Sequence, residues 1–331
     1  MTLRIGLLGA GRIGKVHAMA IAATSGATLG AVADAVPEAA NALAEQHAVS
    51  VRSIEEILAA PDIDAVFITT PTDLHAELIV ASAEAGKAIF CEKPIDLSAD
   101  HTRACLAVVA ARNVPLMVGF NRRFDPNFKG VRARIDAGAI GDVEMVTITS
   151  RDPGPPPLSY MARSGGLFRD MTIHDFDMAR FLLGEEPVSV FAVGSVLVDP
   201  EIASVPDIDS AAVTLVTTSG RIAQISNSRR ATYGYDQRIE VLGSLGMAKA
   251  ANLHADSVEV ADASGYGRSP LMNFFVDRYM DSYRAEVAAF VDAVATGRAP
   301  SPSGDDGLRA LLLADAATQS AREGRAITVG S

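Results

Sequence analysis

The sequence predicts an α/β protein in two parts: a parallel sheet wrapped in helices, then an α+β region built on a large, mostly antiparallel open sheet. Three observations carry this. The chain opens on a strand, a glycine turn and a helix. Short apolar runs then alternate with helical stretches to about Phe120, and beyond that point the strands lengthen and alternate apolar with polar residues. The expected division is residues 1–120 and 121–331.

The opening stretch organises the rest. Ile5, Leu7 and Leu8 form one short apolar run, followed directly by Gly9-Ala10-Gly11-Arg12-Ile13-Gly14 and then by good helix formers from His17 to Ala22. Strand, Gly-x-Gly-x-x-Gly, helix is the Rossmann fingerprint for a dinucleotide. Gly9 is expected to make the tight turn, Gly11 to let the backbone approach a pyrophosphate, and Gly14 to let the helix pack closely on the strand. Arg12 and Ile13 fall in the first turn of that helix, where free N–H groups and the helix dipole favour phosphate. Asp34 ends the second strand, about 20 residues beyond the last glycine, where a carboxylate meets the adenosine ribose hydroxyls. Ala35 and Val36 follow it and bring no cation for a 2′-phosphate, so NAD is expected over NADP.

The alternation continues with helices over 37–47, 54–60, 75–85 and 99–112, and strands over 49–52, 65–68, 88–91 and 116–119. Pro61 stops one helix and Gly86 caps another. Ligands of such a sheet bind beyond the carboxyl ends of its strands. Those ends carry Asp34, Thr70-Pro71-Thr72, Glu92-Lys93-Pro94 and Asn121-Arg122-Arg123. After a helix over 127–137, candidate strands cover 143–149, 188–198, 211–218, 221–228, 238–242 and 257–260, with helices over 171–183, 274–295 and 307–322.

Composition narrows the function. The 331 residues carry a net charge of −11, which disfavours nucleic acid, and the pairs Arg122-Arg123 and Arg229-Arg230 are too isolated to reverse that. The two cysteines, Cys91 and Cys105, cannot build a disulfide framework and read as buried thiols of a reducing compartment. The first apolar run passes into the glycine turn within a few residues, unlike a secretory signal. No run of about 18 apolar residues occurs, so a cytoplasmic protein without membrane contact is expected.

Three stretches read as chemical. Lys93 sits just past a strand, beside the expected nicotinamide half-site, with Pro94 fixing the turn. Asp170 and His174, four apart at a helix start, are placed to share one face as a general acid/base pair, with Asp177 one turn further on. A helix cap, a core histidine or a metal ligand are the other uses of such residues. No H-x-x-x-H pair or cysteine cluster supports a metal. Arg122, Arg151-Asp152 and Tyr233-Gly234-Tyr235-Asp236-Gln237 form a polar group suited to a hydroxylated ligand.

These motifs carry a family resemblance. GAGRIGKVHA, Thr70-Pro71-Thr72, CEKP at 91–94, GFNRRFD at 119–125 and DMTIHDFD at 170–177 resemble the glucose–fructose oxidoreductase/inositol dehydrogenase (Gfo/Idh/MocA) family, in the same order over nearly the whole chain. SRDP at 150–153, GGLFRDMTIHDFDMARFLLGEEP and YGYDQRIEVLGS are most similar to its bacterial inositol-oxidising members. The resemblance implies a Rossmann domain followed by an α/β domain with a large open sheet. It also implies NAD-dependent oxidation of myo-inositol to 2-keto-myo-inositol, within inositol catabolism. Lys93, Asp170 and His174 then fall on the family's catalytic positions, the histidine as acid/base and the lysine on the reacting hydroxyl. Thr70, Pro71, Thr72 and Glu92 join Lys93 at the cofactor; Arg122, Asp152, Asp177 and Tyr235 match as substrate residues by local context. Another inositol isomer, a pyranose sugar or a non-catalytic NAD-binding regulator are the competing readings. Too few helices follow the long strands to cover both faces of their sheet, so one face is expected to meet another subunit. The family implies a homotetramer of paired dimers.

Overall fold

A computed structural model describes residues 2–330. The chain forms two compact units. One comprises the residues up to Phe124 together with Met280–Leu311; the other comprises Asp125–Tyr279 and the residues from Leu312 onward. Nothing in the sequence pattern signals the return of 280–311 to the first unit.

In the first unit, β1 (Leu3–Leu8), β2 (Ala27–Ala33), β3 (Ser50–Val51), β4 (Ala65–Ile68), β5 (Ala88–Glu92) and β6 (Leu116–Gly119) make one sheet in the order β3-β2-β1-β4-β5-β6. Every pairing is parallel. The order reverses between β1 and β4, the switch point at which such sheets bind ligands. The connecting helices are α1 (Arg12–Ala22), α2 (Pro37–His47), α3 (Ile54–Ala59), α4 (His75–Glu84) and α5 (Ala99–Arg112). Strands β4 and β5 are buried throughout, as continuous apolar runs covered on both faces must be. Phe67 and Phe90 stack at 4.4 Å, and Phe290, from the returning segment, meets both rings edge-on. The N–H of Val118 donates to the Pro302 carbonyl, so that segment also covers the edge strand β6.

The second unit begins at α6 (Pro126–Asp136), capped by the Asp125 carboxylate on the N–H groups of Asn127 and Phe128. Its sheet runs in the order β12-β11-β7-β10-β9-β8-β15. These strands are β7 (Val143–Arg151), β8 (Pro187–Ser195), β9 (Ser210–Thr217), β10 (Ile222–Ser228), β11 (Asp236–Gly243), β12 (Gly246–Ala250) and β15 (Ile327–Thr328). All pairs are antiparallel except β7 with β10. A four-residue helix α7 (Leu158–Met161) and then α8 (Ile173–Leu183) lie between β7 and β8, and α9 (Phe275–Thr296) and α10 (Gly304–Glu323) precede β15. Among the described residues, no helix is long and apolar enough to cross a membrane.

Three expectations about elements need correction. The strand expected over 188–198 stops at Ser195, because the Asp209 carboxylate takes the N–H groups of Leu197, Val198 and Asp199 out of the ladder. The candidate over 257–260 does not join the large sheet; β13 (Glu259–Asp262) and β14 (Gly265–Arg268) pair as a separate, exposed hairpin. The helix expected from Met171 is preceded by a wide π turn over Phe168–Thr172, so the spacing of Asp170 and His174 is not that of one regular helix.

One face of the large sheet is open. The register aligns Phe191, Thr214, Gln224, Thr147 and Glu240 in one row and Val193, Ala212, Ser226, Thr149 and Arg238 in the next. The β8 end of those rows is apolar and exposed, with Val188, Phe191 and Val193 each at least 40% accessible.

Candidate active site

In the first unit the glycine turn is shaped by backbone crowding. Gly9 has φ of +108°, and a Cβ there would lie 2.6 Å from the Thr69 carbonyl oxygen. A Cβ on Gly14 would lie 2.0 Å from the Gly9 carbonyl oxygen, so helix and turn pack backbone to backbone. At Gly11 a Cβ would meet nothing within 4 Å, which leaves the mouth of the turn open. Gly11 caps α1 without a side-chain acceptor, and the first turn carries no acidic residue. Exposed Arg12 and half-buried Ile13 flank that end. Asp34 accepts from the N–H of Ala10 at 2.5 Å and of Val36 at 2.8 Å, which fixes its carboxylate against the turn.

The neighbouring strand ends complete this edge. Thr69 ties β4 to the turn through its hydroxyl, on the carbonyls of Leu8 and Gly9. Thr70 Oγ1 is buried without a hydrogen-bond partner, an orphan that a ligand group would satisfy. Pro71 and Thr72 lead into α4. Glu92 ends β5, buried, its Oε1 2.7 Å from His17 Nε2 and its Oε2 accepting weakly from the Lys93 N–H at 3.3 Å. Gly119, its register partner on β6, leaves room for that carboxylate; a Cβ there would lie 3.1 Å from the carboxyl carbon. Lys93 is half-buried, between the buried residues Glu92 and Pro94. Arg122 is buried in the turn after β6. An open glycine turn, a donor-rich helix end, a fixed carboxylate and an orphan hydroxyl fit a dinucleotide. Gly9, Gly11, Gly14, Asp34 and Thr70 would hold it.

In the second unit the start of α8 is buried almost completely. Ile173, Asp175, Phe176, Asp177, Met178 and Ala179 are all at most 1% exposed, whereas His174 keeps partial access. Asn227 on β10 anchors this helix start: its Oδ1 accepts from the Thr172 hydroxyl and its Nδ2 donates to Asp175, both at 2.8 Å. The Asp170 carboxylate accepts from the Tyr160 hydroxyl at 2.8 Å and from Arg229 Nη2 at 3.1 Å. Arg229 is 1% exposed and also lies 3.5 Å from Asp207, so one guanidinium faces two carboxylates. Burial pushes the Asp207 carboxyl above 3.8, against the pull of the Ile208 N–H and of Arg229.

The polar group divides. Asp152 keeps partial access, its N–H donating to the Ser228 carbonyl. Asp177 is buried beside Arg180, 3.7 Å away. Tyr235 is buried, its ring edge-on to Tyr279 at 6.0 Å, and the exposed aromatic is its neighbour Tyr233, whose hydroxyl joins Arg151 to Asp236. Tyr160, Asp207, Asn227 and Arg229 were not among the residues expected at this site. No local motif marks them: Asp207, Asn227 and Arg229 act through partners distant in sequence, and Tyr160 through Asp170, ten residues on.

Residues 3–120 match the family model described as "Oxidoreductase family, NAD-binding Rossmann fold", and residues 128–249 that of the "GFO/IDH/MocA C-terminal domain". The chain is 61% identical, over 99% of its length and 100% of the relative's, to an inositol 2-dehydrogenase of Rhizobium meliloti (strain 1021). A crystal structure of a myo-inositol dehydrogenase from Corynebacterium glutamicum superposes with a TM-score of 0.96 at 44% identity, covering 100% of both chains. A scyllo-inositol dehydrogenase from Lactobacillus casei, solved with bound NAD(H) and scyllo-inositol, superposes with a TM-score of 0.92 at 30% identity, covering 100% of this chain and 99% of that one.

Proposed function

The chain belongs to the Gfo/Idh/MocA family of NAD-binding oxidoreductases, and from that premise we propose that it oxidises myo-inositol to 2-keto-myo-inositol. The observation that carries this reading is the 61% identity, across the whole length, to an inositol 2-dehydrogenase. NAD, when bound, supplies the hydride acceptor.

The protein's residues supply position and proton transfer. The turn Gly9–Gly14, with the N–H groups at Arg12 and Ile13, receives the pyrophosphate, and Asp34 the adenosine ribose. Thr70, Pro71, Thr72 and Glu92 line the same edge. Lys93 donates a hydrogen bond to the reacting hydroxyl oxygen and favours negative charge there as the proton leaves. His174 accepts that proton, so the carbon loses a hydride, the oxygen a proton, and a ketone remains. Asp170, held by Tyr160 and Arg229, orients the imidazole. Arg122, Asp152, Asp177 and Tyr235 are assigned to the other ring hydroxyls, with Asp152, the partly exposed member, the first to test.

The test is NADH absorbance with NAD and a panel of myo-, scyllo- and chiro-inositol and glucose. The highest kcat/KM is expected for myo-inositol. A higher value for another member reassigns the substrate, and NAD binding without turnover on any of them leaves a non-catalytic binder. We also assign the enzyme to inositol catabolism in the cytoplasm, as a homotetramer that buries the open face of the large sheet around Phe191 and Val193. A monomeric mass by light scattering at micromolar concentration would refute the assembly.

A further inference from the structure

His75, the first residue of α4, joins two turns that the proposed mechanism uses separately. Its ring is 2% exposed. Nδ1 lies 2.7 Å from the Pro94 carbonyl oxygen, in the turn that carries Lys93. Nε2 lies 2.9 Å from the Thr70 carbonyl oxygen, in the turn at the end of β4. The two turns follow adjacent parallel strands, so one imidazole spans the gap between them. Both neighbours are acceptors, and a neutral ring carries a single N–H, so it donates to one turn at a time; only the imidazolium donates to both. Burial lowers the pKa of the ring below 6.5, against the two carbonyls and Glu92, which favour the charged form, and with Lys93, which opposes it. Where the ring is neutral, its tautomer selects which turn is held.

We propose that His75 is a positioning residue that couples the cofactor-contacting turn Thr70-Pro71-Thr72 to Lys93, Nε2 serving cofactor affinity and Nδ1 serving turnover. The proposal rests on the roles given above to Lys93 and to the Thr70 turn.

Side-chain amides separate the two nitrogens, because the amide of Asn reaches the place of Nδ1 and that of Gln the place of Nε2. His75→Asn should weaken NAD binding, read by calorimetric titration, more than it lowers kcat. His75→Gln should do the opposite, lowering kcat roughly tenfold with a smaller change in NAD affinity, the scale of a modest misplacement of a reacting group. In the wild type, ¹⁵N spectra of the His75 ring should show one protonated and one bare nitrogen near neutral pH, with the balance moved by NAD. His75→Leu should lose both functions; if it does not fold, the Asn and Gln variants still decide. Parallel changes in kcat and NAD affinity in both variants, or no change in either, would overturn the proposal. Lys93→Ala separates the two levels. Retained turnover there refutes the role of the lysine itself, whereas lost turnover beside a wild-type-like His75→Gln refutes only the coupling.

Discussion

The strands of the first sheet all run the same way, so every carboxyl end falls on one edge and consecutive loops deliver Gly9, Asp34, Thr70 and Lys93 there. The second sheet is mostly antiparallel and has no such edge. Its candidate groups are held instead by side chains: Asp170 by Tyr160 from the preceding segment and by Arg229 from beyond β10, and the start of α8 by Asn227 on β10. In one region topology does the positioning; in the other a buried polar network does. The first arrangement follows from strand order, with the His75 ring bridging two of its turns. The second depends on each partner.

The sharpest test removes His174. His174→Ala should lower turnover by roughly a hundredfold to ten-thousandfold, the usual worth of a positioned acid/base group, and leave NAD affinity unchanged by titration. Loss of NAD affinity would break the separation of the two regions. Arg229→Leu probes the network itself. It takes the guanidinium from Asp207, whose side chain is 1% exposed and keeps the N–H groups of Leu167 and Ile208, and from Asp170, which keeps the Tyr160 hydroxyl, so stability should fall by about 3–5 kcal/mol in urea, with turnover falling while NAD affinity holds.

Two glycines test the topological side. Gly14→Ala drives a Cβ toward the Gly9 carbonyl, backbone against backbone, and should destabilise the fold by about 1–3 kcal/mol. Gly11→Ala meets open space and should leave the denaturation midpoint alone while weakening NAD binding. Equal effects on stability would show that Gly11 is merely structural. A smaller cost in stability than at Gly14 is expected at Asp236. Burial works to raise its carboxyl, but hydrogen bonds from Arg238, Tyr233 and Asn252 outweigh it and hold the pKa below 3.8. A depressed carboxylate stabilises the fold above its unfolded pKa and loses that contribution as pH falls through the folded one. Asp236→Asn should therefore cost about 1–2 kcal/mol at pH 7 and progressively less as the pH falls below 3.8, read from urea midpoints across that range.

The regularity of the first sheet is also why it was legible. The glycine turn, Asp34 and the strand-end motifs through Lys93 are each contiguous, and their spacing implies a parallel sheet with a dinucleotide at its edge. The large sheet was legible as alternation, but its parallel β7–β10 pair was not, because register and direction depend on which strands meet. The early end of β8 was hidden as well, since Asp209, just before β9, acts on the residues that follow it.

For the site, the sequence by itself nominated Lys93, Asp170 and His174 through short motifs contiguous in the chain, and their chemistry is the proposal made above. Only the tertiary structure decided who holds them. Arg229 reads as half of an isolated basic pair until folding buries it against Asp170 and Asp207. His75 reads as an ordinary helix residue until two strand ends bring the Thr70 and Pro94 carbonyls to its two nitrogens. A partner at long sequence separation leaves no periodicity or motif behind. It exists only once the strands have paired.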